Sequence, residues 1–475
     1  MTDKLFEPFT IKNVTFKNRL MRSSLGGRMA YYEGYVNDAW KHFEHVFAEG
    51  GIGCIISATM TVSEHRWAPI EYSKLSDPKF IPPIREGVKK VHSNDCRYIL
   101  QLGDPGSHAQ SAIFAKEMDS VSSSPGFDLI YGYVSRRTQL DAEHVQEAVD
   151  RFARSAGYVR DAGCDGVEIT ISKGYLIHQF LNPGINRRTD QYGGSLENRF
   201  RFLKEIVLAV RKTVGDDYLF GVRMSANDYN HLPLNLRTPL SSYWRGNTIK
   251  ETVQIAKWLK ELGVDYLHVS NGFGFINPKE NPGGFPVKEV RMFCNSVRHL
   301  TTKALWRSRI LNTPLGYLTQ LGWKNPPQGP DAGLPENFAD ARTLKEATGM
   351  TVISNGGFSR RHQIAEALNS GGCDFVSMAR PLLANPDLPH LFQKGMDGPE
   401  EEQSMLPFQN RRSDCTHCNR CAVCTTILPV GCYDPSRFPT MLDMEGQIRY
   451  ICGDPNYEVE GWGDVFSKTA VAGGQ

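Results

Sequence analysis

The sequence predicts a closed (β/α)8 barrel with long loop insertions and a short cysteine-rich C-terminal extension. Three observations carry that expectation. Eight short apolar runs, most of them passing into Gly, Ser, Asn or Asp, alternate with amphipathic stretches in one uninterrupted series, the pattern of parallel strands joined by crossover helices. No Gly-rich dinucleotide turn follows the first run, as a doubly wound open sheet would normally require. Six of the eleven cysteines lie between positions 415 and 452, beyond the last strand–helix unit.

In order, the runs are NRLMRSSLGG, GCIISATMT, RYILQLGDPG, DGVEITIS, YLFGVRMSAND, VDYLHVSNGFG, MTVISNGGF and CDFVSMARPL. Each is short and apolar, as strands buried on both faces are. The stretches AVDRFARSAGYVRDAG, SLENRFRFLKEIVLAVRKTVG and IKETVQIAKWLKELG repeat apolar residues at helical spacing. Two connections exceed ordinary length, about 229–248 after the fifth run and 277–341 after the sixth. Loops after barrel strands rise at the C-terminal face, where active sites are built, so both insertions are expected to be lids or docking surfaces. The barrel is assigned to residues 1–395 and the extension to 396–475.

Composition narrows the partners. The chain has 54 basic and 52 acidic residues, a net charge of +2, which gives no electrostatic case for nucleic acid or an anionic membrane. No apolar run approaches the ~18–20 residues that span a bilayer, and the opening MTDKLFEPFTIKN lacks a signal core. A cytoplasmic protein with reduced thiols is expected. Cys54, Cys96, Cys164, Cys294 and Cys373 sit among apolar neighbours and are expected to be buried as small hydrophobes.

The chemistry gathers at strand ends. The seventh run ends Ser354-Asn355-Gly356-Gly357-Phe358, and the eighth ends Met378-Ala379-Arg380-Pro381. Loops after strands seven and eight are the usual phosphate site of this architecture. Glycines let backbone N–H groups approach an anion, and Arg380 adds a charge that binds through two hydrogen bonds. Arg223 interrupts the apolar run FGVRMS. A buried arginine needs an acceptor, and an electron-poor ring that gains negative charge on reduction would serve. Gln101, ending YILQL, offers both an amide donor and an acceptor to a pyrimidine edge. A cation and an amide inside the mouth, with a phosphate cradle at its rim, describe a site for flavin mononucleotide (FMN).

The stretch GYLIHQFLNPGINRRTDQYGGSLENRFRF, residues 174–202, closely resembles the old yellow enzyme family of FMN-dependent NADH:flavin oxidoreductases. LFEPFTIKNVTFKNRLMRS and ARPLLANPDLP match as well, so the resemblance covers roughly residues 3–395 apart from the insertions. It implies a barrel holding FMN non-covalently. By family position, Ser23, Ala58, Gln101 and Arg223 would contact the isoalloxazine and ribityl chain. Gly356, Gly357, Ala379 and Arg380 would hold the phosphate.

The departures matter for the substrate. Most members carry a His…His or His…Asn pair after strand four, in a pattern like EIHGAHGYL, which binds the carbonyl of an α,β-unsaturated substrate. Here the stretch reads EITISKGYL, so Thr170 and Lys173 occupy those places. QLGDPGS likewise puts Asp104 where the family has a histidine. Tyr175 resembles the proton donor of the dienoyl-CoA reductase branch, which pairs it with a histidine after strand six. That position is nearest Ile276 here, leaving His268 as a substitute candidate that faces either the barrel interior or a helix. Lys173 would anchor an anionic substrate or stabilise an enolate as hydride arrives.

DCTHCNRCAVC, residues 414–424, is followed by Cys432. Thiolates at this spacing suit an iron–sulfur cluster. Zinc also accepts four thiolates, usually from two CxxC pairs separated by a longer loop, and packing cysteines are the third reading. Two larger branches of the family, the dienoyl-CoA reductases and the trimethylamine dehydrogenase-like enzymes, bind a [4Fe–4S] cluster just after the barrel. CTHCNRC matches their CxxCNxC pattern. The resemblance therefore implies Cys415, Cys418 and Cys421 as ligands with Cys432 as the fourth, and Cys424 as the spare. Those relatives continue into an FAD- and nucleotide-binding region, whereas this sequence runs about forty residues past Cys432. Electrons are then expected to pass to or from a separate subunit or carrier, in a homo-oligomer or hetero-complex. Without a cluster, NAD(P)H would reduce FMN directly.

The expected function is hydride transfer to or from an unsaturated or cyclic small molecule, such as an enoyl thioester. An amine dehydrogenase or demethylase and a non-catalytic electron-transfer subunit are the rival readings.

Overall fold

The computed structural model describes residues 4–67, 73–109, 121–130, 133–229, 245–274, 278–299, 302–326, 332–399 and 414–453. Eight parallel strands close a barrel, and each comes from one of the eight runs. They are β1 (Leu20–Arg22), β2 (Cys54–Ile56), β3 (Arg97–Gly103), β4 (Gly166–Ile171), β5 (Leu219–Ser225), β6 (Tyr266–Ser270), β7 (Thr351–Asn355) and β8 (Phe375–Met378). Each pairs with the next in parallel, and β8 pairs with β1 to complete the circle.

The floor of the barrel is apolar. Met21, Cys54, Ile56, Ile99, Tyr266, Ile353 and Phe375 fill it, and an antiparallel hairpin, Phe9–Ile11 with Val14–Phe16, closes the bottom. Phe9 and Phe16 meet the Phe375 ring edge-on at 5.2 and 5.1 Å. The Tyr266 ring crosses the floor so closely that a Cβ at Gly221 would fall 1.9 Å from it. Glycine is required there by contact, not by backbone conformation.

The three helical stretches form Ala142–Asp161, Leu196–Val214 and Ile249–Glu261 on the outside. Each starts on a side-chain cap: Asp141 accepts from the His144 amide, Ser195 from Asn198, and Thr248 makes a reciprocal capping box with Glu251. Their apolar faces pack inward, with Val145, Val149, Phe152 and Val159 buried along the first.

Most of the first predicted insertion lies outside the described residues. The second is helical, with Val287–Ser296, Thr302–Leu311 and a 3-10 turn, Pro314–Gln320. It leaves Trp306, Ile310, Leu315, Leu318 and Leu321 exposed. Residues 414–453 pack directly on the barrel. Gln447 Nε2 donates to Leu383 O at 2.7 Å, Arg437 Nη2 to Ala384 O at 3.1 Å, and His42 Nε2 to Tyr450 O at 2.8 Å. The five scattered cysteines are all buried, as expected. Among the described residues no helix is long and apolar enough to cross a membrane.

Candidate active site

Above the apolar floor the barrel interior turns polar. Gln101 on β3 donates from Nε2 to Glu168 Oε1 on β4 at 2.6 Å. Glu168 also accepts from Tyr266 OH at 3.2 Å and from His268 Nδ1 at 3.1 Å, both on β6. His268 Nε2 meets Ser377 Oγ on β8 at 2.9 Å, and Ser377 in turn accepts from Asn355 Nδ2 on β7 at 2.8 Å. Five strands are thus joined by one chain of hydrogen bonds. Burial raises the Glu168 carboxyl, but the His268 ring, Arg223 and the Gln101 amide outweigh it and hold its pKa below the ordinary value. Burial lowers His268 despite Glu168 beside it. The pair is therefore a carboxylate against a neutral imidazole.

A stability prediction follows from that charge. A carboxyl whose folded pKa lies below its unfolded one stabilises the fold above the unfolded value, 4.5 for glutamate. That stability is lost as pH falls through the folded value. Glu168→Gln removes the larger of the two carboxylate charges acting on buried Arg223, and denaturant titration at neutral pH should show a loss of about 3–5 kcal/mol. The variant's stability should also fall less steeply with acid than the wild type's.

Arg223 on β5 rises from this layer into a cleft at the C-terminal mouth. It is 3% exposed, and its Nε and Nη1 have no hydrogen-bond partner among the described residues. Burial lowers its pKa, with Glu168 and Glu280 opposing. A buried guanidinium with two idle donors facing a cavity is built for an acceptor that enters the cavity. Two strands on, after β7, Gly356 and Gly357 line the same cleft and take left-handed φ values of 106° and 89°. A Cβ on either would press within 2.7 Å of Asn337 or 2.8 Å of Pro335, so this turn needs both glycines.

The cleft brings together Ser23, Arg223, Gly356, Gly357, Ala379 and Arg380 of the expected FMN contacts. It does not bring in Ala58 or Gln101. Gln101 is buried in the polar layer, its Oε1 taken by the cleft-lining Thr59 and Ser24 and its Nε2 by Glu168. Ala58 is buried beside it, while its neighbour Thr59 borders the cleft.

Lys173 and Tyr175 line the same cleft, and Thr170 does not. Thr170 is buried at the end of β4, 3.3 Å from Ser172 Oγ. Lys173 holds a left-handed φ of 64°, and its Nζ pairs with Glu280 Oε1 at 2.5 Å. Burial lowers the lysine pKa, Glu280 opposes this, and Arg223 adds to it. His268 faces the interior with both ring nitrogens engaged below the cleft. Asp104 is held by Arg66, whose Nε donates to it at 2.9 Å. Ile276 lies outside the described residues.

Cys415, Cys418, Cys421 and Cys432 border a second, small cavity together with Arg380 and Arg437. Cys424 does not border it and packs in the apolar core. Arg437 Nη1 donates to Cys432 Sγ at 3.1 Å. Burial pushes the Cys415 thiol up to about 11, with Arg380 pulling it down. Among the described residues no three His, Cys, Asp or Glu side chains converge where a single metal ion would sit. A lone zinc needs all four sulfurs about 2.3 Å from one point. A four-iron cube instead takes one thiolate at each of four separate corners, so sulfurs spread around a cavity suit it better. Arg380, Leu383 and Cys421 border both the cleft and this cavity.

Comparison with known proteins agrees with this geometry. Residues 4–305 match the model of the NADH:flavin oxidoreductase / NADH oxidase family. The chain belongs to that family. The chain is 29% identical over 399 residues to a metal reductase of Desulforamulus reducens, covering 84% of this chain and 49% of that one. An NADPH dehydrogenase of Bacillus subtilis is 34% identical over 282 residues, 57% of this chain and 74% of that one. In fold it is similar to a 2-naphthoyl-CoA reductase solved with 2-naphthoyl-CoA, at TM-score 0.72 and 21% identity, over 97% of this chain and 59% of that one. The chain therefore spans about half the length of the metal reductase it matches.

Glu280 escaped the sequence reading, while Asn419 was visible there only as the asparagine of the cysteine motif. Glu280, in the second insertion, is buried against Lys173 and also accepts the Gly274 amide. Asn419 explains the asparagine of CTHCNRC. At φ 60° it donates from Nδ2 to Asn281 O and Gly284 O, both at 3.0 Å, while its Oδ1 accepts from Arg380 Nη1 at 2.5 Å. One side chain thus ties the cysteine loop, the insertion and the cleft arginine together.

Proposed function

We propose that the chain is an FMN-dependent oxidoreductase that moves a hydride to or from an unsaturated or cyclic organic molecule in the cleft. A four-iron cluster in the cysteine cavity would relay electrons to or from a second protein. The observation that carries this reading is Arg223, a buried cation with idle donors in a cleft that is also lined by a double-glycine turn. Bound there, FMN would supply hydride chemistry, and the cluster would supply single-electron transfer.

The side chains divide the remaining work. Arg223 would face the ring edge that becomes negative on reduction, and Arg380 with Gly356 and Gly357 would hold the phosphate. The four cysteines bordering the small cavity would ligate the cluster. Lys173 would sit over the developing oxyanion of a carbonyl-conjugated substrate, and Tyr175 would deliver the proton. Glu280 holds the Lys173 ammonium in place, limiting its freedom before substrate arrives.

Glu280 is also the observation that favours an amine as the second reading, since a buried carboxylate at a cleft attracts a cation. Its charge is already met by Lys173, which ranks this reading second. Anaerobic addition of NADH or NADPH separates the two. Bleaching of the flavin absorbance by a nicotinamide supports hydride transfer, while bleaching by amines alone would overturn it. With an accepted substrate, Tyr175→Phe should cut kcat by about 10²-fold or more, the usual range for a lost proton donor. Lys173→Met should lower kcat/KM by roughly 10²-fold, as removal of one oxyanion donor does. Normal kinetics in both variants would remove these two residues from the mechanism.

A further inference from the structure

We propose that His417, in the cysteine loop, binds the phosphate of the flavin nucleotide. His417 stands between Cys415 and Cys418, yet its ring belongs to the other cavity, lining the cleft with Arg380, Gly357 and Cys421. It is 2% exposed, and its Nδ1 has no hydrogen-bond partner among the described residues. A buried ring nitrogen left idle is costly, and here it lies beside space that a ligand can fill.

The backbone points the same way. His417 takes φ 53°, in the left-handed region that a side chain with a Cβ enters only at a cost. Its carbonyl accepts from Gly284 N at 2.9 Å, and Gly283 packs so tightly on it that a Cβ there would fall 2.0 Å from the oxygen. Glycine would occupy position 417 without strain. The imidazole therefore needs a reason to be there, and a ligand in the cleft supplies one.

The phosphate is the part of the nucleotide that suits this corner. Arg380 borders both cavities, and the Gly356–Gly357 turn lines the same cleft. A guanidinium, a neutral N–H donor and backbone amides together form a set suited to a phosphate, whose oxygens accept several hydrogen bonds at once. The inference rests on the flavin reading above. It adds that the loop holding the cysteines also contributes a donor to the nucleotide's phosphate.

The test uses the full chain stripped of flavin, titrated with FMN and with riboflavin, which lacks the phosphate. His417→Gly removes the ring and relieves the backbone. His417→Asn keeps a residue that tolerates left-handed φ and carries an amide N–H near the position of Nδ1. Losing one hydrogen bond to a charged acceptor should weaken FMN binding by roughly tenfold in His417→Gly. Riboflavin affinity and iron content should stay as in the wild type, and His417→Asn should recover most of the FMN affinity. Unchanged FMN binding in His417→Gly would overturn the proposal, as would an equal loss for riboflavin. Loss of iron in His417→Gly would assign the ring to the cysteine loop instead and equally overturn it. A wild-type chain that binds neither flavin would overturn the flavin reading, and this proposal with it.

Discussion

Cys432→Ala, purified without oxygen, is expected to carry almost no iron, while Cys424→Ala keeps about four iron atoms per chain. The two thiols are eight residues apart, and both are buried. Only Cys432 shares the small cavity with Cys415, Cys418 and Cys421. Cys424 sits one helical turn past Cys421, so its side chain enters the apolar core and burial pushes its thiol pKa up. Arg437 donates to the Cys432 sulfur and would stabilise a thiolate there. Flavin content serves as the folding control. Iron lost from the Cys424 variant and kept by the Cys432 variant would reverse the assignment.

Arg223→Met should have the second large effect. The side chain keeps its length and packing but the cleft loses a buried cation, so flavin affinity should drop. Turnover of whatever flavin remains should fall by about 10²–10³-fold, the cost of removing a preorganised charge partner. Glu168 would then be a buried carboxylate opposite a neutral imidazole, so the variant should also be less stable. Arg223→Lys keeps the charge without the planar fork and should fall between. Rates and affinity within twofold of wild type would remove Arg223 from the flavin site.

The fold was legible because each barrel strand is a self-contained signal, an apolar run stopped by turn residues. All eight runs became strands. The cysteine cluster was legible for a similar reason: its spacing is local, and Asn419 sits within it. Depth along the barrel was not legible. Alternation tells which face of a strand a residue occupies, but not that Gln101 is bound by Glu168 across the register and by Ser24 and Thr59 at the cleft's edge. Thr170 sits beside Arg223 in the register yet turns to Ser172 and stays out of the cleft. Glu280 was invisible because its partner lies more than a hundred positions earlier and the two meet only through the fold of the insertion. His417 gave no signal either, since a single histidine between two cysteines reads as a ligand neighbour until its φ and burial are known.

The most direct test of the central claim, a flavin seat sharing a wall with a cysteine cavity, is the visible spectrum of the anaerobically purified chain. It should be recorded with acid-released flavin, iron and acid-labile sulfide measured on the same sample. The expected result is about one FMN and about four iron atoms per chain. A chain that carries neither and takes up neither on reconstitution would contradict it.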